Sequence, residues 1–238
     1  MTMSNPYAPP QAGFAPSPAG AMQQEYGQSY VPLGWRTALA SISVLAASAM
    51  GFAMHGAQMA FADDLHPSLA GGASSPELVA TLIVGACGLG VLVAFICAWV
   101  FIPVWMHRAS SNLRGLGRFG MTFSPAGCAG WFFVPIANLW KPPQAMSELW
   151  RASDPDADQG SWFASRGTSL VAVWWAAYLM SSVVSWGSVM ASSDKSAEGA
   201  VGLVSNAFQT LAAIALVMLM RGVSARQAQS AGRMVGTA

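Results

Sequence analysis

At 238 residues, with 54% hydrophobic and only 9% charged residues, the chain lacks the surface of a soluble domain, which carries about 25% charged residues. Eleven Lys and Arg against ten Asp and Glu leave a formal net charge of +1, which excludes a basic nucleic-acid binder. Three cysteines cannot all pair and sit at neither metal-ligand nor disulfide-framework spacings, whereas abundant Gly, Met and Trp suit packed helices in lipid with aromatic anchors.

Residues 1–34 contain Pro6, Pro9, Pro10, Pro16, Pro18 and Pro32, with Glu25 as the one charge. Such a stretch has too little apolar surface to offset ordering entropy, so a disordered, Pro-rich cytoplasmic tail is expected. Composition favours a passive tail over a partner tether, for which Tyr7, Tyr26 and Tyr30 would be the contact points.

Gaps without Asp, Glu, Lys or Arg then locate the spans. The gaps run over residues 37–62, 78–107, 167–193 and 199–220, each at or beyond the 20 or so apolar residues that cross a hydrocarbon core of about 30 Å. Each is apolar nearly all round, unlike a soluble amphipathic helix. Ala60-Phe61-Ala62 resembles a signal-peptidase site, but the apolar stretch before it is longer than a signal-peptide core and follows a long polar segment. An uncleaved first span is the expectation.

Residues 119–140 (FGMTFSPAGCAGWFFVPIANLW) form a fifth uncharged gap, interrupted by Pro125 and Pro135 and by Gly120, Gly127 and Gly130. Two prolines make a continuous spanning helix improbable there. Charge agrees: with four spans, Arg36, Arg108, Arg114, Arg118, Lys141, Arg151, Arg166, Arg221, Arg226 and Arg233 share one side, while Asp63, Asp64, Glu77, Asp194, Lys195 and Glu198 take the other. The positive-inside rule then places both termini in the cytoplasm. Helix two should continue past Arg108 and Asn112 to a glycine stop at Gly115, Gly117 and Gly120. Ser124-Pro125 reads as a capped helix start, Pro135 as a break and Pro142 as a second start. Met146, Leu149 and Trp150 share a face, and Glu148 and Arg151 are spaced for a helical pair. The expected unit is a hairpin over 119–153, re-entrant or lying flat at the interface. A short basic tail, 223–238, follows the last span.

The string from Arg108 and Asn112 through GWFFVPIANLWKPPQAMSELWRAS resembles the bacterial membrane family designated domain of unknown function 4328. The matching positions are Arg108, Asn112, Leu113, Gly130, Trp131, Phe132, Pro135, Asn138, Leu139, Pro142, Gln144, Met146, Glu148, Leu149, Trp150, Ala152 and Ser153, and with its flanking spans the likeness covers roughly residues 35–222. Pro143 departs from the pattern, which usually shows an aromatic residue there. The resemblance implies a multi-span protein of a bacterial inner membrane with a disordered tail, and implies no activity.

Candidate sites follow from polarity in an apolar chain. His55 and Gln58 lie one turn apart in the first span and would be a proton or cation site. Counting 19 residues from Arg36, however, puts His55 about 28 Å along the helix, at the outer interface, where a wetted histidine is the plainer account. Asn206, Gln209 and Thr210 share a face of the fourth span, and Ser181, Ser185, Ser188 and Ser192 form a small polar stripe in the third. A polar conduit is one reading of these; interhelical packing, also suggested by Ser43, Ala47 and Gly51 and by Gly85, Gly88 and Gly90, is the plainer one. In the hairpin, Arg108, Asn112, Arg114, Trp131, Pro135, Asn138, Lys141, Glu148, Trp150 and Arg151 are the candidate lipid- or partner-contacting residues. The cations Arg108, Arg114, Arg118 and Lys141 suit anionic headgroups, and Glu148 is expected to pair with one of them. Cys87, Cys97 and Cys128 read as small inert hydrophobes.

No Ser-His-Asp order, P-loop, dinucleotide fingerprint or His-Glu-x-x-His is present, so no catalytic, cofactor or metal residues are assigned. The sequence therefore predicts an all-α, four-span protein acting as a non-enzymatic interaction or scaffold protein. Its partners would be the bilayer, anionic lipids, and a membrane or cytoplasmic protein, not nucleic acid. An oligomeric small-solute channel or transporter is the competing class, and a membrane enzyme the third.

Overall fold

The computed structural model describes residues 30–61, 76–157, 160–191 and 195–236. Most of the proline-rich tail, with Tyr7 and Tyr26, therefore lies outside the described residues, as do Asp63, Asp64, His66, Ser192 and Asp194. The described residues contain no strand. Among the described residues there are six α-helices: α1 (Gly34–Ala60), α2 (Pro76–Gly115), α3 (Pro125–Gly130), α4 (Lys141–Ala152), α5 (Leu170–Ala191) and α6 (Lys195–Gly236). Helices α1, α2, α5 and α6 are each long and apolar enough to cross a membrane.

The four long helices pack in the order α2, α1, α6, α5, with α1 against both α2 and α6, and α6 against α5. Helices α2 and α5, at the two ends of this arc, barely meet. Close helix approach rests on small residues opposite large ones. A Cβ on Gly51 would meet Asn206 Oδ1 at 2.2 Å, one on Gly202 would meet His55 Nδ1 at 2.3 Å, and one on Gly90 would meet Met50 Cε at 2.3 Å. Most long aliphatic side chains of α2, including Leu82, Leu89, Leu92 and Val100, point outward, as expected where lipid replaces water as the solvent.

The chain's local signals act where the sequence places them. Helix α2 passes Arg108 and ends at Gly115, after which Gly117 and Gly120 take φ of 75° and 72°; side chains with a Cβ rarely adopt that left-handed conformation. Ser124 caps α3, its Oγ accepting from the Gly127 amide at 3.0 Å, with Pro125 in the first turn. Between α3 and α4 the chain makes two 3₁₀ turns, Trp131–Phe133 and Ala137–Leu139, separated by Pro135. Helix α6 continues to Gly236, so the stretch read as a basic tail is helical over 223–236. Its extension packs on the hairpin: Trp150 lies on Gly222, and Gln227 is fully buried.

A hydrogen-bond network ties the α2–α4–α6 end of the bundle together. The Asn112 amide donates to Val31 O (2.9 Å) and Gln227 Oε1 (3.2 Å), and its Oδ1 accepts from Val31 N (3.2 Å). Gln227 donates onward to Ala109 O and Ser153 Oγ. Trp105 Nε1 donates to Thr37 Oγ1, which lies 2.9 Å from Ser224 Oγ. Val31, Asn112, Ser153 and Gln227 therefore share one end of the bundle, as an even number of crossings requires.

Candidate functional site

The hairpin between α2 and α5 is held by side chains drawn mainly from its own motif. Glu148, almost fully buried, accepts from the Thr122 amide (2.8 Å) and the Phe123 amide (3.0 Å). Arg114 holds the same turn from the other side, donating to Phe123 O at 3.1 Å. The expected cationic partner of Glu148 is thus replaced by main chain: after the glycine stop of α2 the chain needs acceptors for exposed amides, and a carboxylate supplies two. Arg118 donates to Asp154 O (2.7 Å) and to Ala157 O, and Trp162 Nε1 donates to Phe119 O (2.7 Å). Lys141 Nζ lies 5.6 Å from the Phe123 ring centre and 5.8 Å from that of Trp131, within cation–π range. Trp150 is stacked beneath Arg226 at 3.9 Å, and its carbonyl accepts from the same guanidinium. Arg151 is exposed beside Gly167.

Two of the candidate residues thought independent meet in one place. An apolar cavity of about 70 Å³ lies in the mouth of the arc, between α2 and α5. Its walls include Ala98, Trp99 and Pro103 of α2, Trp174 and Tyr178 of α5, and Ala212 and Leu216 of α6. Gln209 from α6 and Asn138 from the hairpin both line it. Gln209 Oε1 accepts from Ser181 Oγ at 3.1 Å, whereas Asn138 Oδ1 is buried with no hydrogen-bond partner. The hairpin closes this mouth. Phe133 packs edge-on against Trp99 of α2, ring centres 5.8 Å apart, and Trp175 Nε1 of α5 donates to Leu139 O at 2.8 Å. Trp99 precedes Arg108 by nine residues, about 13 Å of helix rise.

The intramembrane candidates hydrogen-bond within and between the long helices. Asn206 donates to Ser48 O across α1 and α6 (3.0 Å), His55 Nδ1 lies 2.9 Å from Gln58 Oε1 above Gly202, and Ser185 and Ser205 bridge α5 and α6 at 2.6 Å. Thr210 returns its hydroxyl to its own helix. Gly88 meets Met54, while nothing lies within 4 Å of a Cβ placed on Gly85.

Latching the motif residues leaves an apolar tip uncovered. Ile136 is 71% and Phe133 58% exposed, and Pro135, Leu139 and Trp140 are exposed beside them. Among the described residues no three His, Cys, Asp or Glu side chains converge on a metal-sized site. Burial pushes the Cys128 thiol up to about 11, an effect that the nearby Glu148 charge reinforces and that Ser110 and Arg114 oppose.

Sequence reasoning missed Arg36. The pairs Val31–Asn112 and Thr37–Trp105 run α1 and its lead-in antiparallel to the last turns of α2, which sets Arg36 level with the turn carrying Arg108. Arg108 is held below the usual arginine range by desolvation and then by repulsion from Arg36. The signal was available in the antiparallel pairing of the first two spans, but the register needed Val31, whose role lies in its backbone.

The chain matches the family model described as domain of unknown function (DUF4328) over residues 73–226. That is well over half of its length. The chain belongs to this family. No curated protein and no solved structure matches it. The family's matched stretch begins three residues before α2 and ends in the α6 extension, so it contains Asn112, Glu148, Trp150 and Arg226 together with the contacts that latch the hairpin.

Proposed function

We propose that this DUF4328 protein is a membrane-embedded, non-enzymatic interaction protein whose hairpin enters the cytoplasmic leaflet from the side of both chain ends. The observation that carries this reading is the contrast within the hairpin. Its polar and aromatic motif residues are spent on internal contacts, while Phe133, Ile136, Leu139 and Trp140 stand exposed between α2 and α5. Contact of Phe133 with Trp99, well inside the span, supports a re-entrant path over one lying flat. Irregular backbone at that depth needs its polar groups satisfied; here the Asn138, Leu139 and Trp140 amides bond within the turns and Leu139 O accepts from Trp175. The bias of Lys and Arg toward this end supports a cytoplasmic orientation.

Such a tip meets lipid or the side of a partner helix, and large exposed apolar patches mark interaction surfaces. Trp131 and Trp150 are poor probes of it, since both pack internally. A photo-crosslinking residue at Ile136 is the better probe. It should form one discrete protein adduct or lipid adducts in native membranes, and brominated acyl chains should quench a fluorophore placed there. A water-exposed signal at residue 136, with neither adduct, would overturn the reading. The cavity's apolar walls favour interaction over solute conduction.

A further inference from the structure

We infer that the cavity between α2 and α5 binds a single-chain lipid ending in a neutral hydroxyl, a long-chain alcohol, whose hydroxyl donates to Asn138 Oδ1. That oxygen is covered by protein and has no hydrogen-bond partner. An orphaned buried acceptor is costly, and a ligand that donates to it removes the cost. The backbone around Asn138 is held on both sides: its own amide donates to Val134 O at 2.7 Å, and the next carbonyl, Leu139 O, accepts from Trp175 of α5 at 2.8 Å. The hairpin therefore presents the Asn138 side chain to the cavity from a fixed main chain.

The cavity's own walls do not supply the donor. Trp175 Nε1 is spent on Leu139 O, and Gln209, the second carboxamide on the wall, is tied through Oε1 to Ser181 Oγ. Trp174 and Tyr178 also line the space, and neither reaches Asn138 Oδ1. Water is a poor occupant. A volume of about 70 Å³ holds roughly two waters, each wanting about three polar partners, whereas most of the wall is alkyl or aromatic.

The same surroundings select the ligand class. No charged side chain lines the cavity, so a carboxylate, phosphate or ammonium would be buried there unpaired at high cost. The small volume admits a hydroxyl and excludes a glycerol-phosphate headgroup. The need for a donor excludes ethers, esters and quinones, which only accept. The apolar remainder of the ligand has a place to go. Phe95 and Trp99 line the cavity yet are 40% and 41% exposed, so its rim lies at the lipid-facing surface. Both also border a wider apolar space of about 810 Å³ along the outer face of α2, with Ile96, Val100 and Val104. A hydroxyl inside and an alkyl chain running past Trp99 along α2 fit these two spaces together.

The test uses the full chain in phosphatidylcholine nanodiscs, with a hexadecanol that carries a photoreactive diazirine beside the hydroxyl. After photolysis, peptide mass spectrometry should place adducts on Phe95, Trp99 or Tyr178. Unlabelled hexadecanol should displace the probe about tenfold better than hexadecyl methyl ether, which keeps the chain and the oxygen and loses the donor. Hexadecanoate at pH 8 should compete no better than the ether. Asn138→Leu should remove the preference for alcohol over ether, and the competition series on the unaltered chain keeps the test decisive if that variant misfolds. Equal competition by alcohol and ether, stronger competition by the carboxylate, a preference unchanged in Asn138→Leu, or adducts only outside the cavity would each overturn the assignment; the last is the result expected of a cavity that holds water alone. Crosslinking at Ile136 reads the exposed tip and is unaffected by these outcomes, so this site and the hairpin role stand or fall separately.

Discussion

Asn112 closes a two-bond pair with the backbone of Val31, donating to its carbonyl at 2.9 Å and accepting from its amide at 3.2 Å. A side-chain amide here does what a neighbouring strand would do, pinning the lead-in to α1 against the last turns of α2. The same amide reaches Gln227, so one residue couples three elements. Asn112→Ala leaves the Val31 groups and Gln227 Oε1 without these partners, and should cost about 2–4 kcal/mol. Thermal unfolding in detergent measures it. In a cycle with Gln227→Ala the two effects should fall short of additive by about 1 kcal/mol or more; full additivity would mean that the network is not a unit.

Glu148 replaces a missing element of secondary structure in the same way. Its carboxylate satisfies two consecutive amides just after the glycine stop, while Arg114 takes the carbonyl of the second. Glu148→Gln keeps the shape but gives up a charge-assisted acceptor, and should cost about 1–3 kcal/mol. Hydrogen exchange should accelerate at Thr122 and Phe123 before any change at the α1–α6 interface. Uniform acceleration across the chain would contradict a local latch.

Much of this architecture could be read from residues alone, for a physical reason. A span must be long and uncharged, so the gaps before Asp63, Arg108, Asp194 and Arg221 delimited four helices, and Ser124-Pro125 and Gly115 acted through local chain geometry. What could not be read was long-range. Asn138 and Gln209, far apart in sequence and on different elements, meet only because the arc leaves its mouth open beside α5. Glu148 finds amides in place of a cation because the intervening turn brings them closer than any guanidinium. The length of α6 was hidden because charges at Arg221, Arg226 and Arg233 end a hydrophobic span without ending a helix.

Cys128 should be inert while the protein is folded. It is 1% exposed, and burial pushes its thiol up to about 11. A thiol pKa raised by folding favours the protonated form. Its contribution to stability is therefore complete below the unfolded thiol's pKa of about 8.5 and is lost as pH climbs toward 11. In a C87S/C97S background, maleimide at pH 8 should leave Cys128 unmodified in the native protein and label it fully after denaturation. Rapid labelling of the native chain would show that α3 opens readily from α2.

Glycines of the long helices separate by what lies beyond their missing Cβ. At Gly222 a Cβ would meet Trp150 Cζ3 at 2.6 Å, and at Gly51 it would meet Asn206 Oδ1 at 2.2 Å. The Trp150 ring is held under Arg226 and the Asn206 amide is bonded to Ser48 O, so neither retreats without losing a contact. Gly222→Ala and Gly51→Ala should therefore each cost about 1–3 kcal/mol by overpacking. At Gly85 nothing lies within 4 Å, and alanine there should gain up to about 1 kcal/mol of helix propensity. Unfolding midpoints of the three variants, measured in one detergent, decide the matter. A loss at Gly85 equal to that at Gly222 would mean that backbone freedom, and not the close approach of α6 to the hairpin, accounts for these glycines.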